Sequence, residues 1–116
     1  MPIAKITLAP DLVEPLGPRM GEITDGIAAI LSEGLSAKPQ LVQVVLTAAL
    51  CAPKGCAVLC EVQHRGSAAR TAEIRESTAQ RLHDLLHDAT AATVRVRLIA
   101  LDPADIAAID SPEALT

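Results

Sequence analysis

The two halves of the chain repeat one pattern of apolar residues at an offset of 55 positions, so that Ile3 corresponds to Val58 and Ile27 to Leu82. In each half a segment with strand-like alternation precedes a segment with helical spacing, and a second strand-like segment follows. A pattern that recurs with this order predicts a duplicated structural unit and not a low-complexity sequence. The chain is therefore predicted to fold as two consecutive βαβ units.

The first unit is predicted over about 2–48. Alternation over 2–8 predicts the first strand. Apolar residues at helical spacing predict a helix over 16–33, with Gly34 as its C-terminal cap. The nearly continuous apolar run at 41–46 is typical of a strand that is buried on both faces.

The second unit is predicted over about 57–101. Residues 57–64 alternate again and predict the third strand. Thr71 is a suitable N-cap for a helix over 72–89, and 93–101 predicts the fourth strand.

The tail over 102–116 begins with Asp102 and Pro103, which predict a short helix through Ile109. The whole chain, 1–116, is predicted to be a single α+β domain. We expect a two-layer sandwich with pseudo-twofold symmetry, in which two helices lie on one face of a sheet of four main strands.

Composition excludes several classes of protein. Half of the residues are hydrophobic but Phe, Tyr and Trp are absent, so bases cannot stack on aromatic rings. The net charge of −4 argues against binding nucleic acid or an anionic membrane. The longest charge-free stretch, 39–53, has 15 residues, which is shorter than a membrane-spanning helix. With no signal-peptide pattern at its start, the chain is expected to be cytoplasmic.

The cysteines and histidines do not predict a metal site or a cofactor. Three cysteines, at positions 51, 56 and 60, leave one unpaired, which fits a reducing compartment. On a strand, Cys56, Cys60 and His64 lie at intervals of ~13 Å, too far apart to bind one ion, and buried small side chains are the better interpretation. His83 and His87, one helical turn apart, are interpreted as surface residues.

Proline at position 2 is the first candidate for catalysis. Removal of Met1 would leave a secondary amine, and burial or nearby cations would favour its neutral, basic form. A structural interpretation stays open, because proline is common at the start of a strand and its nitrogen is an amide if Met1 is retained.

Arg95 and Arg97 are two positions apart on one strand, so their side chains share a face about 6.6 Å apart. That face is predicted to be the one without helices. Paired guanidinium groups are suited to a carboxylate. The alternative is a solvated edge or an intersubunit salt bridge to residues such as Glu61 or Asp102.

Several segments resemble the tautomerase superfamily, whose members carry a catalytic amino-terminal proline on a βαβ unit. The opening Met1-Pro2-Ile3-Ala4-Lys5-Ile6 resembles 4-oxalocrotonate tautomerases. Two further segments, Arg70-Thr71-Ala72-Glu73 and Thr93-Val94-Arg95-Val96, resemble those that supply the arginines of that branch. The members with two fused βαβ units, such as the macrophage migration inhibitory factor branch, are matched by Lys38-Pro39-Gln40 and His64-Arg65-Gly66.

The resemblance implies a homotrimer with sheets facing inward, and an isomerase that shifts a proton on a small keto-enol carboxylate without a cofactor once Met1 is removed. It implies that Pro2 is the catalytic acid/base. The implied substrate-binding residues are Arg70, Arg95 and Arg97, with Lys38 and Arg65 as further candidates.

Two other functions stay open. A decarboxylase, or a dehalogenase or hydratase of the same superfamily, would use protonated Pro2 as an acid. No residue clearly matches the water-activating acid of the dehalogenases, for which Asp102, Asp105 and Asp110 are the candidates. A non-catalytic binding module is the other, because ferredoxin-like domains have the same order of elements.

Overall fold

The computed structural model describes residues 1–115, which contain four strands and three α-helices. The strands are β1 (Ile3–Leu8), β2 (Gln43–Ala48), β3 (Val58–Arg65) and β4 (Val94–Leu101). The helices are α1 (Pro10–Leu16), α2 (Met20–Gly34) and α3 (Ala72–Thr90). Short 3₁₀ turns follow α1 at Gly17–Arg19, precede β2 at Pro39–Leu41, and occupy Pro103–Asp105 and Pro112–Leu115 in the tail.

The four strands form one sheet in the order β2-β1-β3-β4. β1 pairs with β2 in parallel, β3 pairs with β4 in parallel, and the central β1–β3 pair is antiparallel. Each βαβ unit thus keeps its two strands adjacent, and the antiparallel centre relates the units by a pseudo-twofold axis. The predicted α+β fold is confirmed. The ferredoxin-like alternative is wrong for this sheet, because a split βαβ unit has another strand between its two strands.

The core lies between one face of the sheet and the helices α2 and α3. Strand alternation buries every second residue, and the helices add the apolar residues at positions three and four apart. The fully buried core residues include Ala4, Ile6, Val58, Cys60 and Val62 of the strands and Ile27, Leu31, Leu82 and Leu86 of the helices. Gly34 lies against the hydroxyl group of Thr78, where a larger residue would separate α2 from α3.

Neither α2 nor α3 packs on the opposite face of the sheet, and Gly55 of the loop before β3 lies beside Arg95 there. Arg95, Arg97 and Ile99 of β4 are exposed there, as is Val45 of β2. The prediction that the arginine pair occupies the face without helices is confirmed. Ile99 and Val45 are 42% and 37% exposed, which gives this face an apolar component beside its charges.

The first helical region differs from the prediction of one helix over 16–33. Helical structure begins at Pro10, which occupies the first turn of α1, where its missing N–H group has no cost. The chain tightens into a 3₁₀ turn at Gly17–Arg19 before α2 begins. Pro18 cannot donate to the preceding turn and so separates α1 from α2.

Two further predictions are wrong. β2 is an edge strand with alternating exposure, because a two-layer sheet offers it one covered face only. The tail helix through Ile109 is reduced to the 3₁₀ turn Pro103–Asp105, where the Asp102 carboxylate accepts a hydrogen bond of 2.9 Å from the Ala104 N–H. A helix this short needs packing to persist. Within residues 1–115 no helix combines the length and the apolar character needed to cross a membrane.

Candidate active site

Pro2 is buried immediately before β1. Its carbonyl oxygen accepts a hydrogen bond of 3.0 Å from the N–H of Gln43, which extends the β1–β2 pairing to Pro2. On the other side, Ile3 lies opposite Gln63 of β3. The register continued by one residue sets Pro2 opposite His64, and both side chains are on the helix-covered face of the sheet.

Arg70 crosses this end of the sheet from the loop before α3. Its Nε donates to the carbonyl oxygen of Leu35 at 3.0 Å, and its Nη1 donates to that of Arg65 at 2.7 Å. Leu35 follows the last residue of α2, and Arg65 is the last residue of β3. The guanidinium group therefore joins two chain ends and holds a positive charge beside them.

A cleft of about 420 Å³ opens at this end of the sheet. Its lining combines two guanidinium groups with small and apolar residues, including Arg65, Arg70, Ser36, Gly66, Ile74 and Pro103. A cleft with two cations beside apolar surface is suited to a small organic anion.

The pKa of the Met1 amino group reflects the burial and the positive charges at this end of the sheet. Burial, Arg70 and Arg65 lower its pKa from the ordinary value of 8.0, and Asp110 acts in the opposite direction. Burial and positive neighbours both penalise an ammonium ion. An amine at this end of β1 is therefore shifted toward its neutral form.

His64 is a residue of this region that the sequence interpretation placed among the core residues without a role. Its Nδ1 lies 3.0 Å from the carbonyl oxygen of Arg65, and its buried Nε2 has no hydrogen-bond partner among the described residues. Burial lowers its pKa from 6.5, assisted by Arg70, Arg75 and the Met1 amine and opposed by the hydrogen bond to Arg65. The sequence gives no sign of this role, because only the β1–β3 register sets His64 opposite Pro2.

Lys38 is exposed just before the turn that leads into β2, at the end of the sheet that holds Pro2. Arg95 is at the other end, since it lies beside Leu59, which lies opposite Thr7. This separates it from Pro2 by about 16 Å along the strands. Arg97 lies nearer to Pro2 along the strands but on the uncovered face. Its Nη1 donates a hydrogen bond of 2.9 Å to the carbonyl oxygen of Val96.

One chain thus brings Pro2, Arg65 and Arg70 together at one end, to which Lys38 belongs only by its place before β2, and leaves Arg95 and Arg97 outside the group. Arg95 instead lies against the loop before β3, 3.6 Å from the position that a side chain on Gly55 would take.

The remaining cysteines and histidines lie elsewhere. Cys60 is fully buried, and burial followed by the charge of Glu61 raises its pKa to about 12. His83 and His87 stack at the surface with ring centroids 5.7 Å apart, which confirms their surface interpretation. Within residues 1–115, no three His, Cys, Asp or Glu side chains form a group that could hold a metal ion.

Comparison with known proteins identifies the fold. No protein-family model and no curated protein sequence matches the chain. Solved structures do match. A macrophage migration inhibitory factor-like protein from Entamoeba histolytica is 17% identical, with a TM-score of 0.70 over 95% of this chain and 96% of that chain. A member of the cis-3-chloroacrylic acid dehalogenase family is 15% identical, with a TM-score of 0.75 over 91% of this chain and 79% of that chain. The chain has the tautomerase-superfamily fold.

A third structure with this fold is a fused 4-OT described as a symmetric trimer. It is 14% identical, with a TM-score of 0.66 over 91% of this chain and 90% of that chain. The resemblance found in the sequence is confirmed for the fold over most of the chain. A tautomerase-superfamily fold can support several reactions, so the activity has to be argued from the site.

Proposed function

We propose that this protein, once Met1 is removed, is an isomerase that tautomerises a small keto-enol carboxylate with Pro2 as its acid/base. The observation that carries the proposal is the lowered pKa of the amino group beside Arg70 and Arg65. The Pro2 nitrogen is one residue further into the same surroundings. Burial and two guanidinium groups would favour the neutral amine, which is the form that accepts a proton.

The proposed reaction needs one proton carrier and one anion site. Neutral Pro2 removes a proton from the enol hydroxyl group or the α-carbon, the double bond shifts, and protonated Pro2 returns a proton to another carbon. Arg65 and Arg70 line the cleft and would hold the carboxylate and stabilise the developing enolate. Arg70 is fixed by two backbone contacts, so its charge needs little reorganisation. Lys38, exposed at the same end of the sheet, would be a further cation for the substrate.

Arg95 and Arg97 enter this proposal through a trimer. Three copies packed with their uncovered sheet faces inward would bury Ile99 and Val45, which are exposed in one chain. A neighbouring protomer would then supply its arginine pair to the end of the sheet that holds Pro2, which the pair does not approach within its own chain. A trimeric fused 4-OT among the similar structures supports this assembly.

The test is ultraviolet-monitored ketonisation of 2-hydroxymuconate by protein whose lack of Met1 is verified by mass. Pro2→Ala is expected to lower kcat by about 10²- to 10⁴-fold with an unchanged fold. Pro10→Ala is the matched control, because Pro10 is an exposed proline beyond the opposite end of β1. Full turnover by folded Pro2→Ala would exclude the catalytic role. Retained Met1 would leave an amide and favour a non-catalytic binding module.

A carboxylate near the same amine favours a second candidate, the hydration or dehalogenation of a small unsaturated or halogenated acid. Asp110 acts on the Met1 amino group, whereas the Asp102 carboxylate is engaged by the Ala104 N–H. Protonated Pro2 would act as the acid and Asp110 would activate water. Halide or hydrated product that depends on Asp110, and not on Asp105, would support this reaction. Release of carbon dioxide would instead indicate a decarboxylase.

A further inference from the structure

The imidazole of His64 is a buried group that the proposed reaction does not use. Polar side chains that are fully buried nearly always have their hydrogen bonds satisfied, so a buried nitrogen without a partner requires an explanation. His64 is 0% exposed, and its Nε2 has no partner among the described residues. Its Nδ1, in contrast, is 3.0 Å from the carbonyl oxygen of Arg65.

This contact fixes the tautomer of the neutral ring. A carbonyl oxygen can only accept, so Nδ1 carries the proton and donates it to Arg65. Nε2 is then a lone-pair acceptor that needs an N–H or O–H donor. Burial disfavours a cationic imidazole most strongly, and the charges of Arg70 in the loop, Arg75 of α3 and the amino group of Met1 act in the same direction.

The register identifies the donor that processing would create. Pro2 lies opposite His64 on the neighbouring strand, on the same face of the sheet. Side chains at facing positions of an antiparallel pair have Cβ atoms about 4.5–5.5 Å apart. With Met1 attached, the Pro2 nitrogen has no hydrogen to donate. Without Met1 it has one N–H as a neutral amine and two when protonated.

We propose that His64 is a positioning residue for Pro2, and that its Nε2 accepts a hydrogen bond from the amine that removal of Met1 exposes. The role in catalysis rests on the proposed function, but the hydrogen bond itself can be tested without it. During turnover a substrate O–H or C–H bond breaks as a second N–H bond forms on Pro2, and that N–H bond then breaks as the product C–H bond forms. The other N–H bond of Pro2 stays intact and continues to donate its hydrogen bond to His64 Nε2, so His64 neither gains nor loses a proton.

The contact has a measurable consequence. An acceptor stabilises the protonated Pro2 amine more than the neutral one and so raises its pKa, whereas burial, Arg70 and Arg65 lower the pKa of the Met1 amino group at the same end of the sheet. Loss of the acceptor should therefore lower the titration midpoint of Pro2 by about one pH unit. A residue that supports only the packing would not move this midpoint.

The experiment follows the ¹⁵N resonance of Pro2 against pH in mass-verified protein without Met1. His64→Leu is expected to lower the midpoint by about one pH unit, and His64→Gln, which keeps an acceptor, to restore most of it. The same midpoint in the wild type and both folded variants would overturn the inference. Because this readout needs no substrate, an inactive wild type with a His64-dependent midpoint would refute the proposed function alone.

A second measurement applies if His64→Leu does not fold. In the wild type, the ¹⁵N resonance of His64 Nε2 should shift with the same midpoint as Pro2, as expected for a donor and acceptor in contact. An Nε2 resonance that is constant through the titration of Pro2 would overturn the inference. Chains that all retain Met1 would refute both the inference and the proposed function, and the mass spectrum reports that outcome separately.

Discussion

The Nη1 of Arg70 donates a hydrogen bond of 2.7 Å to the carbonyl oxygen of Arg65, while its Nε donates to Leu35 at 3.0 Å. Arg70 therefore supports the fold as well as lining the cleft. Arg70→Ala is expected to lower the free energy of unfolding by about 2 kcal/mol, since each hydrogen bond to a charged group contributes ~1.5–3 kcal/mol and this side chain is partly solvated. Urea denaturation measures the change.

Arg81→Ala is the matched control for Arg70→Ala. Arg81 forms an ion pair of 2.9 Å with Glu33 in which the side chains are 46% and 67% exposed. Exposed pairs of this kind contribute ~0–1 kcal/mol. Arg70→Lys should lower the free energy of unfolding by an amount between those of Arg70→Ala and Arg81→Ala. An ammonium group is a point donor and cannot span both carbonyl oxygens as the guanidinium group does. Equal destabilisation by Arg70→Ala and Arg81→Ala would show that the two contacts are unimportant for stability.

The proposed sharing of the cleft between protomers predicts complementation. Pro2→Ala and Arg97→Ala should each be inactive alone, and mixed chains allowed to reassemble should regain about a quarter of wild-type activity. In a cyclic assembly with heterologous contacts, about one site in four then combines a native Pro2 with a native Arg97 from the neighbour. The readout is turnover of 2-hydroxymuconate after reversible denaturation of the mixture. Sites contained within one chain would regain none.

The alternating pattern of the sequence was sufficient to predict the four strands but not their order in the sheet. Ala4 and Ile6 of β1 are two positions apart, as are Val58, Cys60 and Val62 of β3, and the structure buries each of them as the pattern predicted. Such alternation depends on local geometry, which a single sequence records. The burial of β2 was misjudged because Val44 and Val45 look alike in sequence, and only the strand order reveals that β2 is at the edge.

The site was predictable in part for the same reason. Pro2 and Arg70 were selected by their place in segments that resemble a known family, and the structure brings them to one end of the sheet. His64 was overlooked because its relation to Pro2 exists only through the β1–β3 register, which joins residues distant in sequence. The separation of Arg95 from Arg70 follows from the β3–β4 register, which sets Arg95 beside Leu59, and not from spacing along the chain.

Cys60 provides a chemical test of the core. Burial raises the pKa of its thiol to about 12 from 9.0, so its thiolate fraction at pH 8 falls roughly a thousandfold. Iodoacetamide should modify exposed Cys51 in the native protein while Cys60 stays unmodified. In denaturant both should react alike, as followed by peptide mass spectrometry. Equal native rates for Cys51 and Cys60 would contradict the packing of β3 against the helices.

His64 should make stability depend on pH. Burial, with Arg70 and Arg75, holds its folded pKa below the ordinary 6.5, so between the two values the unfolded chain binds more protons than the folded one. The stabilisation is present above pH 6.5 and is lost as the pH falls toward the lower folded pKa. In urea denaturation between pH 7.5 and pH 5, the free energy of unfolding should fall less for His64→Gln than for the wild type. Parallel slopes for His64→Gln and the wild type would mean that the buried imidazole is not held neutral.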